Sequence, residues 1–467
     1  MSVETACQIT NGSLVNNQLA KRRFAGVSVD TRTLKSGNAF FCLRGKTDGH
    51  QFAAKAGERE AGVIFADRRH ARRWRTWGVP VVGVDDPLTA LGDLAQEFRR
   101  VFPTRYVAVT GSVGKTTTKE LIAGALAQKF SVFKSPGNYN NLIGIPLALL
   151  SRNARSSRPE DLGVLELGMS TPGEIARLVE IVEPSWGVVT LIAPSHLQQL
   201  KTLSAIARAK RELFDHSSPD TVAFLNAGDP WQRRWMARWT RPTVTFGLDA
   251  GADYCATDIQ SDRSGRTTFR VNHRHQFSLS IPGSHNVINA TATVAVAHRL
   301  GVSFAGIAAG LRKVRPVGHR SRFERLGGII LIEDCYNANP TSTEAALRTL
   351  STVGGIRRKI AVLGAMRELG PREREFHRAV GRVAAHTADI LVTVGPLAKE
   401  YVRGASLAGR TVDYRHFADL SAAAKGLAKL VKTGDIVLLK ASHSEQFEIL
   451  GQAIREWAAN RLQGKRA

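Results

Sequence analysis

The sequence has few cysteines and no long apolar run. Cys7, Cys42, Cys255 and Cys335 are its four cysteines in 467 residues, so neither a disulfide framework nor a cysteine-based metal site is expected. No uninterrupted stretch of about 18 apolar residues occurs, and no transmembrane helix is therefore predicted. Segment 1–12 lacks the basic-then-apolar order of a signal peptide. These absences predict a protein of the reducing cytoplasm.

Acidic residues are also few in comparison with basic residues. The chain has 40 Asp and Glu against 65 Lys and Arg, for a formal net charge of +25. A charge of this sign permits nucleic-acid binding. The basic residues are scattered along the chain, however, and we expect no nucleic-acid partner. A DNA-stimulated ATPase is kept as an alternative, and the sequence gives no other reason for the charge than a basic surface that attracts anionic substrates.

The length of the chain predicts two or three domains. Apolar runs alternate with helical patterns, which favours an α/β fold with a doubly wound parallel sheet in the central part and smaller α/β domains on either side. Breaks near Pro103 and Pro316 divide the chain into predicted domains at 1–103, 104–316 and 317–467. Segment 243–279 is rich in β-formers, and we predict that it is an antiparallel appendage of the central domain.

A glycine-containing loop follows the predicted strand Tyr106–Val109 and precedes a predicted helix. Its glycines allow a tight turn that directs backbone N–H groups at phosphate oxygens. Lys115 is suited to reach the β- and γ-phosphates, and the Thr116 hydroxyl is suited to bind Mg²⁺. Val109 stands where the standard pattern has glycine, so the loop is a shortened variant, and a plain glycine turn is the alternative. The predicted phosphate-binding residues are Gly111, Ser112, Val113, Gly114, Lys115, Thr116 and Thr117.

Further segments carry a recognisable pattern together with this loop. They are Val27–Arg32, Asp48-Gly49-His50, Gly137-Asn138-Tyr139-Asn140-Asn141, Glu166-Leu167-Gly168, Ser195-His196-Leu197, Ala209-Lys210, His285-Asn286 with Asn289-Ala290, and Tyr336-Asn337-Ala338-Asn339-Pro340. Over nearly the whole chain they resemble the Mur ligase family, and within it the members that add D-alanyl-D-alanine to a UDP-muramoyl-tripeptide.

The resemblance implies three domains and a reaction. The domains would bind a uridine nucleotide, bind ATP, and receive the incoming amine, in that order along the chain. The reaction would be ATP-dependent amide-bond formation through an acyl phosphate, in peptidoglycan precursor synthesis. UDP-muramoyl-tripeptide and D-alanyl-D-alanine are then the expected partners, and we expect a monomer.

The resemblance also implies a catalytic set of Lys115, Glu166, His196 and Lys210. Glu166 and His196, with Thr116, would ligate two Mg²⁺ ions, and Lys210 would be carbamylated to an additional metal ligand. On its own terms, Glu166 ends an apolar strand, where a carboxylate is costly unless it has a partner. The residues alone leave open a salt-bridged Glu166, a capping or core His196 and a solvated helix lysine at Lys210, and nitrogen is not the donor that Mg²⁺ favours.

The remaining predicted site residues are assigned by the same resemblance. Asn286 and Asn289 share one helix face and would contact adenine, although a helix cap plus a surface amide is the alternative. Arg320 and Asp334 would contact the ATP phosphates and ribose. The predicted substrate-binding residues are Thr31 and Arg32 for the uridine nucleotide, and Asn138, Asn140, Asn141, Tyr336, Asn337 and Asn339.

The chain departs from the family pattern at four positions. Thr31 stands where serine is usual, Gln198 and Ala365 where an acidic residue is usual, and His443 where arginine is usual. Ala365 and His443 lie in the predicted amine-receiving domain, so they leave the amine substrate open. The third residue of the acceptor peptide and the extent of domain closure are open as well. The alternatives are another Mur-type ligase with a different amine, or a noncatalytic nucleotide-binding relative.

Overall fold

The computed structural model describes residues 1–16, 20–152, 160–262, 264–410 and 412–463. The described residues form three β-sheets, which lie one after another along the chain. All four cysteines are free thiols. Among the described residues, we find no helix with the length and apolar character that a membrane crossing requires.

The first sheet has five strands in the order β1-β5-β4-β3-β2, parallel except for the pairing of β1 with β5. Its core includes Phe41 stacked on Phe65 with ring centroids 4.4 Å apart. Helix α4 begins at Pro87 because the side chain of Asp86 accepts hydrogen bonds from its first turn. The elements are β1 (Ser13–Leu14), β2 (Val27–Ser28), β3 (Ala39–Phe41), β4 (Val63–Asp67), β5 (Val81–Val84), α1 (Val3–Ile9), α2 (Ala53–Glu58), α3 (Arg68–Ala71) and α4 (Pro87–Arg100).

The second sheet has nine strands in the order β14-β13-β12-β11-β10-β9-β6-β8-β7. Its strands are β6 (Arg105–Thr110), β7 (Val132–Lys134), β8 (Leu162–Glu166), β9 (Trp186–Val189), β10 (Val222–Asn226), β11 (Thr243–Gly247), β12 (Tyr254–Ser261), β13 (Thr267–Val271) and β14 (His275–Leu279). Its helices are α5 (Lys115–Leu126), α6 (Gly144–Leu150), α7 (Glu174–Val182), α8 (Leu197–Leu200), α9 (Leu203–Asp215), α10 (Pro230–Met236), α11 (Ser284–Arg299) and α12 (Phe304–Lys313).

The predicted antiparallel appendage at 243–279 is wrong in its first part. β11 pairs in parallel with β10, and β12 pairs in parallel with β11 before it turns antiparallel to β13. The parallel sheet therefore continues through β11, and only the β12–β14 meander is antiparallel. A strand rich in Thr and Val does not reveal the direction of its neighbour, because both kinds of sheet favour β-branched residues.

The third sheet has six strands in the order β15-β16-β20-β17-β18-β19, of which β15 alone is antiparallel to its described neighbour. Its strands are β15 (Arg322–Leu326), β16 (Ile329–Glu333), β17 (Lys359–Leu363), β18 (Ile390–Val394), β19 (Asp413–Phe417) and β20 (Ile436–Lys440). Its helices are α13 (Pro340–Thr352), α14 (Glu373–Thr387), α15 (Lys399–Ser406), α16 (Leu420–Leu430) and α17 (Glu448–Gln463).

The order of strands in the second sheet creates a crevice. β6 lies between β8 and β9, so the connections that leave β6 and its neighbours diverge at their carboxyl ends. Ligands bind at such a switch point in open α/β sheets. The three sheets fall within the ranges 1–103, 104–316 and 317–467, while those domain boundaries themselves stay a prediction.

Candidate active site

A cleft of about 310 Å³ opens between the carboxyl ends of the second and third sheets, within the size range of small-molecule sites. The second-sheet wall is formed by the 112–117 loop with Glu166, His196 and Asn286. The third-sheet wall includes Arg320, Asp334, Tyr336 and Lys440. The structure therefore brings together most of the residues that the sequence predicts for nucleotide binding and catalysis.

The phosphate loop depends on its two glycines. A Cβ at Gly111 would lie 1.9 Å from Oγ1 of Thr190, and one at Gly114 would lie 2.6 Å from Oδ1 of Asn289. Gly114 has a φ of +87° and is the N-cap of α5, which begins at Lys115. The ammonium of Lys115 donates a hydrogen bond of 2.9 Å to the Gly111 carbonyl. A loop of this shape at a helix N-terminus is a ready anion site.

Glu166 is buried at the end of β8 with two neutral partners. It accepts a hydrogen bond of 2.5 Å from the Thr116 hydroxyl and one of 2.8 Å from the Asn140 side-chain amide. Glu166 is 2% exposed. A buried carboxylate that is not paired with a cation is destabilising. A bound metal ion would supply the missing positive charge at Glu166.

Lys115 is half-buried in the cleft wall, and Lys210 is fully buried. Burial lowers the pKa of Lys115; the Glu166 carboxylate opposes this shift and the Arg320 charge adds to it. Burial, together with the charge of Lys115, lowers the pKa of Lys210 well below its ordinary value. Lys210 is only 2% exposed. The solvated helix lysine considered as an alternative is therefore wrong.

His196 lines the cleft in an unusual backbone conformation. Its φ is +52°, and it is the N-cap of α8. Its ring nitrogen Nδ1 lies 2.7 Å from Oε2 of Glu368, a residue of the third-sheet domain. This contact with the His196 ring lowers the pKa of the Glu368 carboxyl.

The amides predicted for adenine lie side by side in the first turns of α11. Asn289 donates to Asn286 at 3.2 Å, and Asn286 donates to the Pro282 carbonyl at 2.7 Å. Both are buried and both line the cleft, and the N-cap of α11 is Gly283, so the cap-plus-surface alternative is wrong. Burial lowers the pKa of their neighbour His285 to about 4, which keeps its imidazole neutral at pH 7.

The third-sheet wall carries a buried ion pair. The Lys440 ammonium lies 2.6 Å from Oδ2 of Asp334 and donates to the Asn337 carbonyl at 2.8 Å. The other carboxylate oxygen of Asp334 accepts from the Ser321 backbone N–H at 3.0 Å. The guanidinium of Arg320 lies 3.5 Å from the Tyr336 ring centroid, a cation–π distance.

Some predicted site residues do not line the cleft. Gly111 and Lys210 lie behind its wall, and Thr31, Arg32 and Asn138 are also not among its lining residues. Thr31 is buried in the first domain, where its carbonyl accepts from Arg59, and Arg32 is exposed and paired with Asp30.

Two of the predicted amides that do line the cleft also hold helices in place. The side chain of Asn141 accepts from the backbone N–H groups of Ile143 and Gly144 at the start of α6. Asn339 forms a capping box with Ser342 at the start of α13.

Sequence reasoning missed several residues of the cleft. Lys440 ends a fully buried apolar strand, which is the same signal that singled out Glu166. His285 belongs to the His285-Asn286 segment but has no predicted role. Glu174 lies in no sequence pattern that marks it as a site residue. The contact of Glu368 with His196 was not predicted, because it joins segments that are distant in sequence.

The chain matches three parts of one family. Residues 23–99 match the Mur ligase family catalytic domain, residues 109–297 the Mur ligase middle domain, and residues 321–443 the Mur ligase glutamate ligase domain. The UDP-N-acetylmuramoyl-tripeptide–D-alanyl-D-alanine ligase of Bacillus subtilis is 33% identical over 96% of both chains. The ligase of the same name from Escherichia coli is 33% identical over 96% of this chain and 97% of its own.

Solved structures of proteins with the same fold match nearly the whole chain as well. A crystal structure of MurF from Acinetobacter baumannii has a TM-score of 0.87 and 29% identity, covering 97% of this chain and 98% of its own. MurF from Thermotoga maritima in complex with ADP has a TM-score of 0.81 and 30% identity, covering 95% of this chain and 99% of its own.

Proposed function

The chain belongs to the Mur ligase family, and from this premise we propose that it joins D-alanyl-D-alanine to UDP-N-acetylmuramoyl-tripeptide, with consumption of ATP, in peptidoglycan precursor synthesis. The observation that carries the proposal is the cleft, in which Lys115, Glu166 and His196 face Arg320 and Asp334. Relatives named for this reaction match the chain over nearly its full length. Because the reaction uses ATP, the proposal includes a cytoplasmic location, and it takes the protein to act as a monomer.

The reaction condenses a carboxylate with an amine. The tripeptide carboxylate attacks the γ-phosphorus of ATP, ADP leaves, and an acyl phosphate forms. The amine of D-alanyl-D-alanine then attacks the acyl carbon, its excess proton is lost, and the tetrahedral intermediate expels phosphate. Such chemistry depends mainly on positioning and on neutralising negative charge, which is the role of Lys115 and the N-terminal N–H groups of α5.

The residues present fit bound Mg²⁺. Glu166 supplies a buried carboxylate beside the hydroxyl of Thr116, and oxygen ligands of this kind suit the ion. Thr116, Glu166, His196 and a carbamylated Lys210 would hold two ions. When bound, they neutralise phosphate charge and polarise the reacting oxygens.

Carbamylation of Lys210 is part of the proposal. Only the neutral amine adds to CO₂, and burial together with the charge of Lys115 favours that form. The neutral amine adds to CO₂ with loss of a proton, and the resulting carbamate places an anion where the protonated amine would be repelled by Lys115.

The other predicted residues complete the assignment. Asn286 and Asn289 would hold adenine, Arg320 and Asp334 the phosphates and ribose, and Ser112, Val113, Gly114 and Thr117 would line the phosphate site with Gly111 shaping its turn. Thr31 and Arg32, outside the cleft, would hold the uridine end of the substrate. Asn138, Asn140, Asn141, Tyr336, Asn337 and Asn339 are assigned to the peptide substrates.

The test is phosphate release in the presence of ATP and UDP-N-acetylmuramoyl-tripeptide, measured with and without D-alanyl-D-alanine. We expect release only when both substrates are present, together with a product whose mass is that of the condensed peptide. Release that needs a different amine would indicate another Mur-type ligase. Release that needs DNA and falls steeply with salt would indicate a nucleic-acid-dependent ATPase, and ATP binding without release would indicate a noncatalytic relative.

A further inference from the structure

A loop of the third-sheet domain touches the second-sheet domain beside His196. The Gln198 backbone N–H donates a hydrogen bond of 3.1 Å to the Glu368 carbonyl. The Glu368 carboxylate lies 2.7 Å from Nδ1 of His196. We name this pair of contacts, made by Glu368 with His196 and Gln198, the interdomain clasp.

The clasp holds both of its principal residues in an uncommon conformation. His196 has a φ of +52° and Glu368 a φ of +65°, although neither is glycine. Left-handed backbone in ordinary residues is disfavoured and is concentrated at functional sites. Gly370 also has a positive φ, and a Cβ there would lie 3.3 Å from the Leu197 carbonyl, so the loop approaches the 196–198 segment closely along several residues.

The contact with Glu368 determines which nitrogen of His196 is free. A carboxylate beside Nδ1 favours the proton on that nitrogen, which leaves Nε2 with its lone pair. Carboxylates hold metal-binding histidines in this way, fixing both the tautomer and the ring orientation. Here the carboxylate comes from a different domain than the histidine.

We propose that Glu368 is a positioning residue, which couples the docking of the third-sheet domain on the second to the orientation of His196 for metal binding. This inference rests on the proposed function, since His196 is a metal ligand only there. Its consequence is reciprocal: metal binding at His196 favours the docked arrangement by the same factor by which docking favours metal binding.

The clasp also explains why glutamine can stand at position 198, where the family pattern has an acidic residue. An acidic residue is usual at this position, yet the side chain of Gln198 is exposed and the contact is made by its backbone. The carboxylate next to His196 comes instead from Glu368. Substitution of Gln198 therefore leaves the clasp intact.

The first measurement needs neither metal nor turnover. Hydrogen exchange of segment 196–201 is compared in metal-free wild type, Glu368→Gln, Glu368→Ala and the control Glu375→Gln, which changes an exposed glutamate of the same domain. We expect exchange about two- to fivefold faster in Glu368→Ala, as for loss of one partly exposed ion pair, a smaller change in the isosteric Glu368→Gln, and none in the control. Unchanged exchange in both Glu368 variants would overturn the clasp, whether or not the wild type is a ligase.

The second measurement is the Mg²⁺ dependence of ligation by the same proteins. Loss of a carboxylate that orients a metal-binding histidine raises the half-saturating Mg²⁺ concentration by about 10- to 100-fold, and excess Mg²⁺ should restore the rate, which a merely misfolded variant would not show. If the wild type is active and both variants need no more Mg²⁺ than the wild type does, the coupling is refuted and the proposed function is not affected. A wild type that does not ligate refutes the proposed function, while exchange still decides on the clasp.

Discussion

The two walls of the cleft differ in how their charges are balanced. On the second-sheet side, the half-buried Lys115 and the buried Lys210 behind the wall have lowered pKa values. Glu166 bonds there to the neutral donors Thr116 and Asn140. On the third-sheet wall, the buried Lys440 is paired directly with Asp334. The first wall is thus incomplete without a bound ligand, whereas on the second wall Lys440 and Asp334 balance each other's charge.

The largest effect is expected from Lys115→Ala on the incomplete wall. Ligation should fall by on the order of 10²–10³-fold, because charge that develops on the γ-phosphate loses its main preorganised cation. The fold should persist, since the Lys115 side chain bonds only to its own loop among the described residues. Turnover is compared with that of Lys129→Ala, an exposed lysine near the other end of the same helix. Wild-type turnover in a folded Lys115→Ala protein would remove Lys115 from the mechanism.

Lys440→Met tests whether the other wall is balanced by its own ion pair. It leaves the largely buried Asp334 carboxylate without its cation, and such a change costs about 3 kcal/mol of stability. The measurement is the free energy of unfolding of the third-sheet domain, from hydrogen exchange in urea. The double variant Lys440→Met with Asp334→Asn should recover part of the loss. A loss that the second substitution does not reduce would show that the pair is not the cause.

Lys210→Ala tests the carbamate. We expect ligation to fall by up to about a hundredfold, as for loss of a group that supports a metal site, and added acetate or formate to restore part of it. Arg208→Ala, an exposed position on the same helix, is the matched control. In the wild type, ¹³CO₂ should give a carbamate carbon signal that the Lys210→Ala protein lacks. An active enzyme with an unmodified amine at Lys210 would contradict this prediction.

The smallest effect concerns the amine substrate. The sequence offers Arg367, Glu368 and His319 as replacements for the partners that the dipeptide loses at Ala365 and His443. In the structure they contact Glu445, His196 and Glu333, respectively. We therefore expect weak affinity for D-alanyl-D-alanine, or a shift towards dipeptides ending in D-lactate or D-serine. His443→Arg, next to Tyr336, should tighten D-alanyl-D-alanine binding about tenfold by restoring a bidentate donor. Ala365→Asp should act in the same direction, but less, because Ala365 is buried and a buried carboxylate has a cost.

The measurement is a competition panel of these dipeptides at fixed ATP. His386→Arg makes the same change at an exposed position of the same domain and should have no effect. A tight and exclusive preference of the wild type for D-alanyl-D-alanine, unchanged in His443→Arg and Ala365→Asp, would show that the two departures have no consequence.

The buried strands of the third sheet can be recognised in the sequence, whereas its polar edge strand cannot. β17 and β18 are nearly continuous apolar runs, because strands buried on both faces are continuously apolar. β19 (Asp413–Phe417) has no such pattern, since it lies at the edge of its sheet and exposes most of its residues.

The same contrast holds within the site. Glu166 interrupts an apolar run and is visible in the sequence, whereas Lys210 lies beside the exposed Arg208 and Arg211 and therefore resembles a solvated helix residue. Its burial is a property of tertiary packing. The clasp of Glu368 on His196 depends on how two domains meet, which no local pattern encodes.

The packing of Asn289 against Gly114 has a kinetic consequence. The helix assigned to the adenine and the loop assigned to the phosphates touch at a point where no Cβ fits, so their spacing is set within one domain. Under that assignment, the second-sheet domain alone positions both ends of a nucleotide. ATP should therefore bind before the third-sheet domain docks, and docking should then add the contacts assigned to Arg320 and Asp334.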